Sequence, residues 1–241
     1  MTALTLAVAE SRLILRNRTV LVTAAILPIA MAFFVSRSNI ESLSDPGTLA
    51  SMQLAMLLVF GVFMTSTMTL AARRQQRYLK RLRSSPVSTT SIVAGLTGPL
   101  VLVAAVQTLV VLAYTAWESG VAPEHPELLV LAFANGAVTS VALGFLTASF
   151  TKSPEAAQIT VLPGTLVFMA GIALGLFPFE GVKSVLVAAV PGAGMAELTR
   201  HAWDGSPDGY AAALEPLLLS TIVAIAAVVI AARLFRWQPR P

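Results

Sequence analysis

Long apolar runs separated by short polar segments make up most of this chain. The runs occupy about residues 19–36, 49–72, 92–117, 128–151, 156–177 and 213–233. A helix needs roughly 20 apolar residues to cross the hydrocarbon core of a bilayer, and only helices or closed barrels pair all their backbone groups within lipid. The pattern therefore predicts an all-α integral membrane protein. Its six transmembrane helices, which we call spans one to six, form a single transmembrane domain over residues 1–241.

Two further segments have helical patterns but are too polar or too short to cross a membrane. In residues 1–18, apolar residues alternate with charged ones such as Glu10 and Arg12. This predicts an amphipathic helix on the cytoplasmic surface, with a frayed basic tail as the alternative. Residues 178–212 hold the apolar piece "VKSVLVAAV", then Pro191 and "GMAELTRHAW". They predict two short helices that dip toward the outer face or lie on it.

The composition agrees with a membrane protein, because 56% of the residues are hydrophobic, 12% are charged and the mean hydropathy is +0.79. Soluble domains contain about 25% charged residues. The chain has no cysteine, which excludes disulfides, thiol nucleophiles and thiolate metal sites. A pI near 10.0 fits either nucleic acid or anionic lipid as a partner, so the positions of the cations decide between them.

The charges are divided between alternate loops. Thirteen of the 16 Lys and Arg lie in the N-terminal segment, in residues 73–83, at Lys152 and from Arg233 onward, whereas ten of the 12 acids lie in the other loops. Positive residues stay on the cytoplasmic side because their translocation is costly. We therefore expect a multi-pass protein of the plasma membrane with both termini in the cytoplasm. Residues 73–91 would then form a cytoplasmic loop.

Groups that could carry out chemistry are missing from the sequence. No Asp, Glu, Lys, Arg or His lies well inside a span, whereas proton- or ion-coupled transporters need ionisable groups at depth. The sequence has no Gly-x-x-x-x-Gly-Lys-[Ser/Thr] phosphate loop, no His-Glu-x-x-His and no Gly-x-Ser-x-Gly. We therefore expect no catalytic, metal or cofactor site on this chain. Any ATP that drives it must be bound by another chain.

A few side chains within the spans are candidates for a substrate path. Gln107 and Asn135 either line such a path or form hydrogen bonds between helices. Met and Phe side chains repack around varied apolar ligands, although they also serve as lipid-facing or core residues. The apolar candidates are Phe60, Met64 and Met68 in span two, and Phe168 and Met169 in span five.

Small residues recur every four positions in span four. They are Ala132, Gly136, Ser140, Gly144 and Ala148, and Gly171 and Gly175 repeat the spacing in span five. Such a ridge lets a neighbouring helix approach closely. We expect packing rather than chemistry from both.

The most basic segment of the chain is 73–83, which contains six Lys and Arg. One such residue at the bilayer centre costs about 2.5–3.5 kcal/mol on insertion scales, so the segment must lie outside the hydrocarbon. Three roles are open: a nucleic-acid surface, a polybasic lipid anchor, and a docking helix for a cytoplasmic partner. Tyr78 is its only aromatic residue, which gives little support for nucleic acid. Membrane lipid is expected as a partner, since a basic cluster beside a span attracts anionic headgroups.

Two motifs resemble a known family. The segment "YLKRLRSSPVSTTSIVAG" is similar to "GTLKRLRATPVS" in the permease subunits of type-2 ABC exporters, which export drugs, lipids and polysaccharides from bacteria. "PGAGMAELTR" resembles "PLTYAVEALR" of the same family, with Pro191, Glu197 and Arg200 in register. The predicted architecture also resembles that family over nearly the whole chain. In this sequence "QQRY" stands where the family often has acidic residues followed by Gly-Thr.

The resemblance implies a homo- or heterodimer of permeases, each bound to an ABC ATPase subunit that holds ATP and Mg. The ATPase would dock on the loop between spans two and three. The contacts implied are Gln75, Gln76, Arg77, Tyr78, Leu79, Lys80, Arg81 and Arg83. Pro191, Glu197 and Arg200 would shape the helices of an outer gate.

The function expected from these observations is ATP-driven export of a hydrophobic or amphipathic drug-like molecule, or of a lipid, from the cytoplasm. A highly charged cargo would be poorly solvated along spans without buried charge. The alternative is a non-transporting membrane anchor or sensor subunit whose basic segment binds lipid or a regulatory partner.

Overall fold

The computed structural model describes Val8 and residues 26–37, 45–76, 78–79, 88–177, 182–205 and 210–235. Every regular element within these ranges is helical. In chain order the helices are α1 (Leu27–Ser36), α2 (Pro46–Gln75), α3 (Thr89–Ser119), α4 (Pro126–Phe150), α5 (Pro154–Gly175), α6 (Val182–Ala188), α7 (Ala193–Asp204) and α8 (Tyr210–Leu234). A single turn residue, Val161, interrupts α5.

Five of the described helices, α2 to α5 and α8, are long and apolar enough to cross a membrane. The chain is therefore an all-α membrane protein, as the hydropathy pattern predicts. Ten helical residues of span one are described, as α1. The amphipathic helix expected over residues 1–18 lies outside the described residues apart from Val8, so that helix and the total of six spans stay predictions.

The helix boundaries follow from residues that satisfy the first or last backbone groups. Asp45 accepts a hydrogen bond from the Thr48 N–H at 2.8 Å, and Pro46 is the first residue of α2. Ser153 caps the start of α5 in the same way. Gly120 ends α3 with a φ of 68°, in the left-handed region that glycine adopts at helix ends.

Helix α2 lies at the centre of the bundle and packs against α3, α4 and α7. The five small residues of the α4 ridge are all buried. A Cβ atom at Gly136 would lie 2.5 Å from both Leu58 Cδ1 of α2 and Met195 Sδ of α7. The ridge therefore acts in packing, as its spacing predicts.

The middle of α2, Leu57–Met64, is π-helical. Its backbone hydrogen bonds join residues five apart, so each turn is wider than in an α-helix. The Thr65 hydroxyl donates to the carbonyl of Phe60 at 2.9 Å, just where the α-helical pattern resumes. Four residues exceed one α-helical turn, which holds about 3.6, but fall short of a π-helical turn. A row of side chains at four-residue spacing therefore keeps nearly one direction along α2.

Helix α7 is packed among α2, α4, α5 and α8. Its largest side chain, Trp203, is buried. On α5, the backbone carbonyls of Pro191 and Ala193 occupy the places of Cβ atoms at Gly171 and Gly175, respectively. The glycine repeat of span five thus allows α5 to contact the start of α7 and the turn that precedes it.

The two ends of the helix bundle differ in charge. At the end that we call the acidic end, the Asp204 carboxylate lies beside Gly47, and the Glu124 carboxylate lies beside Gly205. The opposite end, which we call the basic end, carries Arg73, Arg74, Lys152, Glu155 and Arg233 among the described charged residues. This division agrees with the loop charges from which the topology is predicted.

Candidate coupling and transport sites

The described part of the basic segment is anchored to the helix bundle. Leu79 is 0% exposed and belongs to a buried cluster that includes Leu70 of α2, Ile92 of α3 and Phe145 of α4. Phe235, at the end of α8, completes the cluster with its ring 4.8 Å from that of Phe145. Leu79 therefore ties the segment to the basic ends of four helices, which leaves it no exposed surface for a partner.

The residues around Leu79 have different surroundings. The guanidinium of Arg73 lies 5.2 Å from the centre of the Tyr78 ring, within reach of a cation–π contact. Gln75 and Gln76 are exposed at the end of α2. The remaining residues assigned to ATPase coupling, Arg77, Lys80, Arg81 and Arg83, lie outside the described residues.

Arg74 is a buried cation of the basic segment, which the sequence analysis did not single out. It is 2% exposed, and its guanidinium donates to the backbone carbonyls of Ser149 and Thr151 at the end of α4. A sequence signal for its burial exists, because Arg74 shares a helix face with Leu70 and Ala71, which are also buried.

One face of α2 is a row of methionine and phenylalanine side chains, which we call the α2 row. Its members are Met52, Met56, Phe60, Met64 and Met68, all partly exposed. The π-helical middle of α2 keeps these side chains in line. Most of the other residues between Ala50 and Thr67 are buried, so the α2 row is the surface that this helix leaves uncovered.

The structure brings together some of the predicted path residues. Phe60, Met64 and Met169 all pack against one buried cluster, which contains Phe63 and Phe168. Phe168 itself is 0% exposed, so within one chain it supports the lining rather than forming it.

The two polar path candidates lie elsewhere. Asn135 of α4 accepts a hydrogen bond from the Thr221 hydroxyl of α8 at 3.2 Å, which is the interhelical contact that the alternative predicts. Gln107 is buried on the face of α3 that holds Ala104 and Val111, and both of those residues join clusters with α2. Neither candidate belongs to the α2 row.

Gln53 is a buried polar residue that the sequence analysis missed. Its amide donates to the Ser36 hydroxyl of α1 at 2.9 Å and accepts from the Thr115 hydroxyl of α3 at 2.8 Å. The side chain is 0% exposed. A lone Gln within an apolar run is the signal that would have found this link between three helices.

The predicted gate residues lie around α7. Gly192, with a φ of 100°, forms the turn between Pro191 and α7. Glu197 lies 3.8 Å from His201 one turn later. Arg200 is half-buried and interacts electrostatically with Asp204. Glu197 and Arg200 thus lie on α7 and Pro191 lies just before it, although their role as a gate stays a prediction.

Asp204, at the end of α7, is in an unfavourable setting for a carboxylate. Burial, followed by repulsion from Asp45, raises its pKa above the ordinary value. Arg200, the Gly47 N–H and His201 act in the opposite direction. The Asp204 carboxyl therefore connects the end of α7 to the start of α2, and the stability of this contact depends on whether the carboxyl is protonated.

Comparison with known families identifies the architecture. The model of the ABC-2 family transporter protein matches residues 31–233. No curated protein matches the chain, and no solved structure matches it. In the described part of the chain, no group of three or more His, Asp and Glu residues could hold a metal ion. Because the family match covers most of the 241 residues, this chain belongs to the ABC-2 transporter family as a transmembrane permease component.

Proposed function

We propose that the chain is the membrane-spanning half of an ATP-driven exporter of hydrophobic or amphipathic molecules. The observation that carries the proposal is the anchoring of Leu79 among the basic ends of α2, α3, α4 and α8. A partner that displaces the segment around Leu79 pushes on four membrane helices at once. This is the mechanical connection that a permease without its own ATP site needs.

The chemistry of the α2 row supports the proposed cargo class. Thioether and phenyl side chains offer polarisable, adaptable contacts and no charge. The row extends over five positions along α2, from Met52 to Met68. In the proposed dimer, this row and the exposed face of α5 line the path.

The partner in this proposal is an ABC ATPase subunit that binds ATP and Mg on the cytoplasmic side. The concentration of cations at the basic end favours that side for the segment, because positive residues resist translocation. The exposed Gln75 and Gln76 and the undescribed Arg77, Lys80, Arg81 and Arg83 would meet the ATPase. Both termini would lie in the cytoplasm, and the plasma membrane would be the site of action.

The alternative function is a membrane anchor or sensor whose basic segment binds lipid or a regulator. Such a subunit has no need for an adaptable apolar row along its central helix. The α2 row therefore favours the exporter.

The proposal is tested by charge reversal in the coupling segment. Arg77, Lys80 and Arg81 are replaced by Glu together, and the chain is co-purified with its candidate ATPase. The matched control replaces Arg233, Arg236 and Arg240 by Glu, which reverses the same number of charges on the same predicted side.

If the chain is an exporter permease, the variant with Glu at positions 77, 80 and 81 should reach the membrane but no longer bind the ATPase. The control should bind the ATPase as the wild type does. Binding that is unchanged in the first variant would overturn the coupling assignment. A wild-type chain that binds lipid vesicles or a regulator, but no ATPase, would favour the anchor.

A further inference from the structure

Arg74 is buried at a junction of three helices. It lies in the last turn of α2, and its two donors reach the backbone carbonyls of Ser149 and Thr151, where α4 ends. The Ser149 contact is 3.4 Å long. Arg74 thus fills the place of a helix cap for α4, supplied by another helix.

The chemistry of this contact is that of a charged donor on the negative end of a helix. The last carbonyls of α4 have no partners within their own helix and carry partial negative charge. A planar guanidinium can donate to two of them at once. Breaking the contact would leave these buried carbonyls without the guanidinium donors, which is unfavourable.

The contact continues into α5. The Thr151 and Thr160 hydroxyls are 2.7 Å apart, and the Thr160 hydroxyl also lies 3.2 Å from the Ala156 carbonyl. The end of α2 packs directly on the first turns of α5. A displacement at Arg74 is therefore transmitted to both α4 and α5.

We propose that Arg74 is a positioning residue that holds the end of α2 and the α4–α5 turn together as one rigid unit. Leu79, five residues later, anchors the coupling segment beside the same unit. The inference rests on the proposed function, because an ATPase at the segment supplies the displacement. Arg74 would pass that displacement to α5, which borders the proposed path.

The test uses the absence of cysteine in the chain. Ala72→Cys and Lys152→Cys place spin labels on the partly exposed Ala72 of α2 and on the exposed Lys152 of the α4–α5 turn, one on each side of the Arg74 contact. Their separation is measured in lipid nanodiscs, for the chain alone and for its complex with the ATPase, without nucleotide and with a non-hydrolysable ATP analogue. The variants are R74Q, R74K and the control R73Q, which alters the neighbouring cation.

The expected result is one narrow distance in the wild type and in R73Q, unchanged by nucleotide. In R74Q the distribution broadens and shifts when the nucleotide binds. Co-purification with the ATPase stays unchanged in R74Q. Permease-dependent ATP hydrolysis falls by about tenfold, the loss expected for one charge-assisted hydrogen bond.

A distance distribution in R74Q identical to that of the wild type would overturn the inference. Loss of ATPase binding in R74Q would also overturn it, because Arg74 would then act in docking. If R74Q does not accumulate in the membrane, R74K is the test. Its ammonium group keeps the positive charge but lacks the paired donors of a guanidinium, so a broader distance distribution is expected. A distribution like that of the wild type would contradict the positioning role of Arg74. Should the wild type fail to bind any ATPase, the proposed function fails, whereas the distances in the chain alone still test the Arg74 contact.

Discussion

Ser66 of α2 fills the space that a side chain on Gly144 of α4 would need. The Ser66 hydroxyl lies where a Cβ atom at residue 144 would be, and the Phe63 carbonyl lies 3.4 Å from the same point. The two helices therefore approach as closely as their backbones allow. This contact fixes the position of α2, along the helix axis, relative to the ridge of small residues on α4.

Gly144→Val should destabilise the protein, because the added atoms cannot fit without parting α2 and α4. Overpacking of this kind costs about 1–3 kcal/mol. Thermal unfolding in detergent measures the effect. The control is Gly98→Ala in α3, where a Cβ meets nothing within 4 Å beyond its neighbours along the chain, so any loss of stability, caused by the adjoining Pro99, should stay well below that of Gly144→Val. Equal melting of the two variants would contradict the packing role of the ridge.

Alanine substitutions at glycines that pack on or near α7 should lower the free energy of unfolding by different amounts. At Gly171 the added Cβ would collide with the Pro191 carbonyl, whereas at Gly194 the nearest atoms, the Pro216 carbonyl oxygen and the Ser220 Cβ, are 2.9 Å away. The loss of unfolding free energy should be largest for Gly171→Ala, smaller for Gly194→Ala, and smallest for Gly98→Ala. Thermal unfolding tests the order, and a reversed order would show that α7 is not held by these backbone contacts.

Gln53 allows a test of how much its buried hydrogen bonds with Ser36 and Thr115 contribute to stability. Gln53→Leu should cost only about 0.6–2 kcal/mol, the range for interhelical hydrogen bonds in membranes, because Ser36 and Thr115 also donate to carbonyls in their own helices. Gln53→Glu should cost more, since it places a carboxylate at a position with no exposure. Unfolding of the two variants near pH 8 makes the comparison, and an equally mild effect of Glu would contradict the burial.

The raised pKa of Asp204 predicts that the stability of the folded protein depends on pH. A raised pKa means that the folded state binds the proton more tightly, so the resulting stability is fully present below the ordinary value of about 3.9. It is lost as the pH rises through the raised value. Asp204→Asn should therefore stabilise the protein at neutral pH and flatten its stability profile.

Asp45→Asn is the companion variant for this prediction. It removes the repulsion on Asp204 while Asn can still cap α2, so it should reduce the pH dependence without abolishing it. Unfolding measured between pH 3 and pH 8 gives both results. A profile unchanged by Asp204→Asn would contradict the setting described for this carboxyl.

The membrane helices could be predicted from the sequence because a run of about 20 apolar residues has one common solution in lipid. The ridge of span four was also readable, since Gly136 and Gly144 stand out among larger side chains. Its burial against α2 and α7 follows from their small size.

Other features could not be read in the same way. Over residues 54–64 of α2 every position is apolar, so hydropathy does not distinguish the buried face there from the α2 row. The π-helical stretch that aligns Phe60 and Met64 with Met52 has no signature in an apolar sequence. Charge alone does not distinguish Arg74 from Arg73; the helix face that Arg74 shares with Leu70 and Ala71 indicates its burial but not its contact with the end of α4.

In the proposed exporter, the ATPase changes which side of the membrane can reach the α2 row. In the chain without cysteine, Met64→Cys is reacted with a membrane-impermeant maleimide applied from each side of vesicles that also contain the ATPase. Val59→Cys, a change of similar size on the buried face of the same helix, is the control and should not react in either state. We expect Met64→Cys to react from the cytoplasmic side without nucleotide and from the outer side when ATP is trapped on the complex. Labelling that ATP does not change, in a complex that remains assembled, would contradict it.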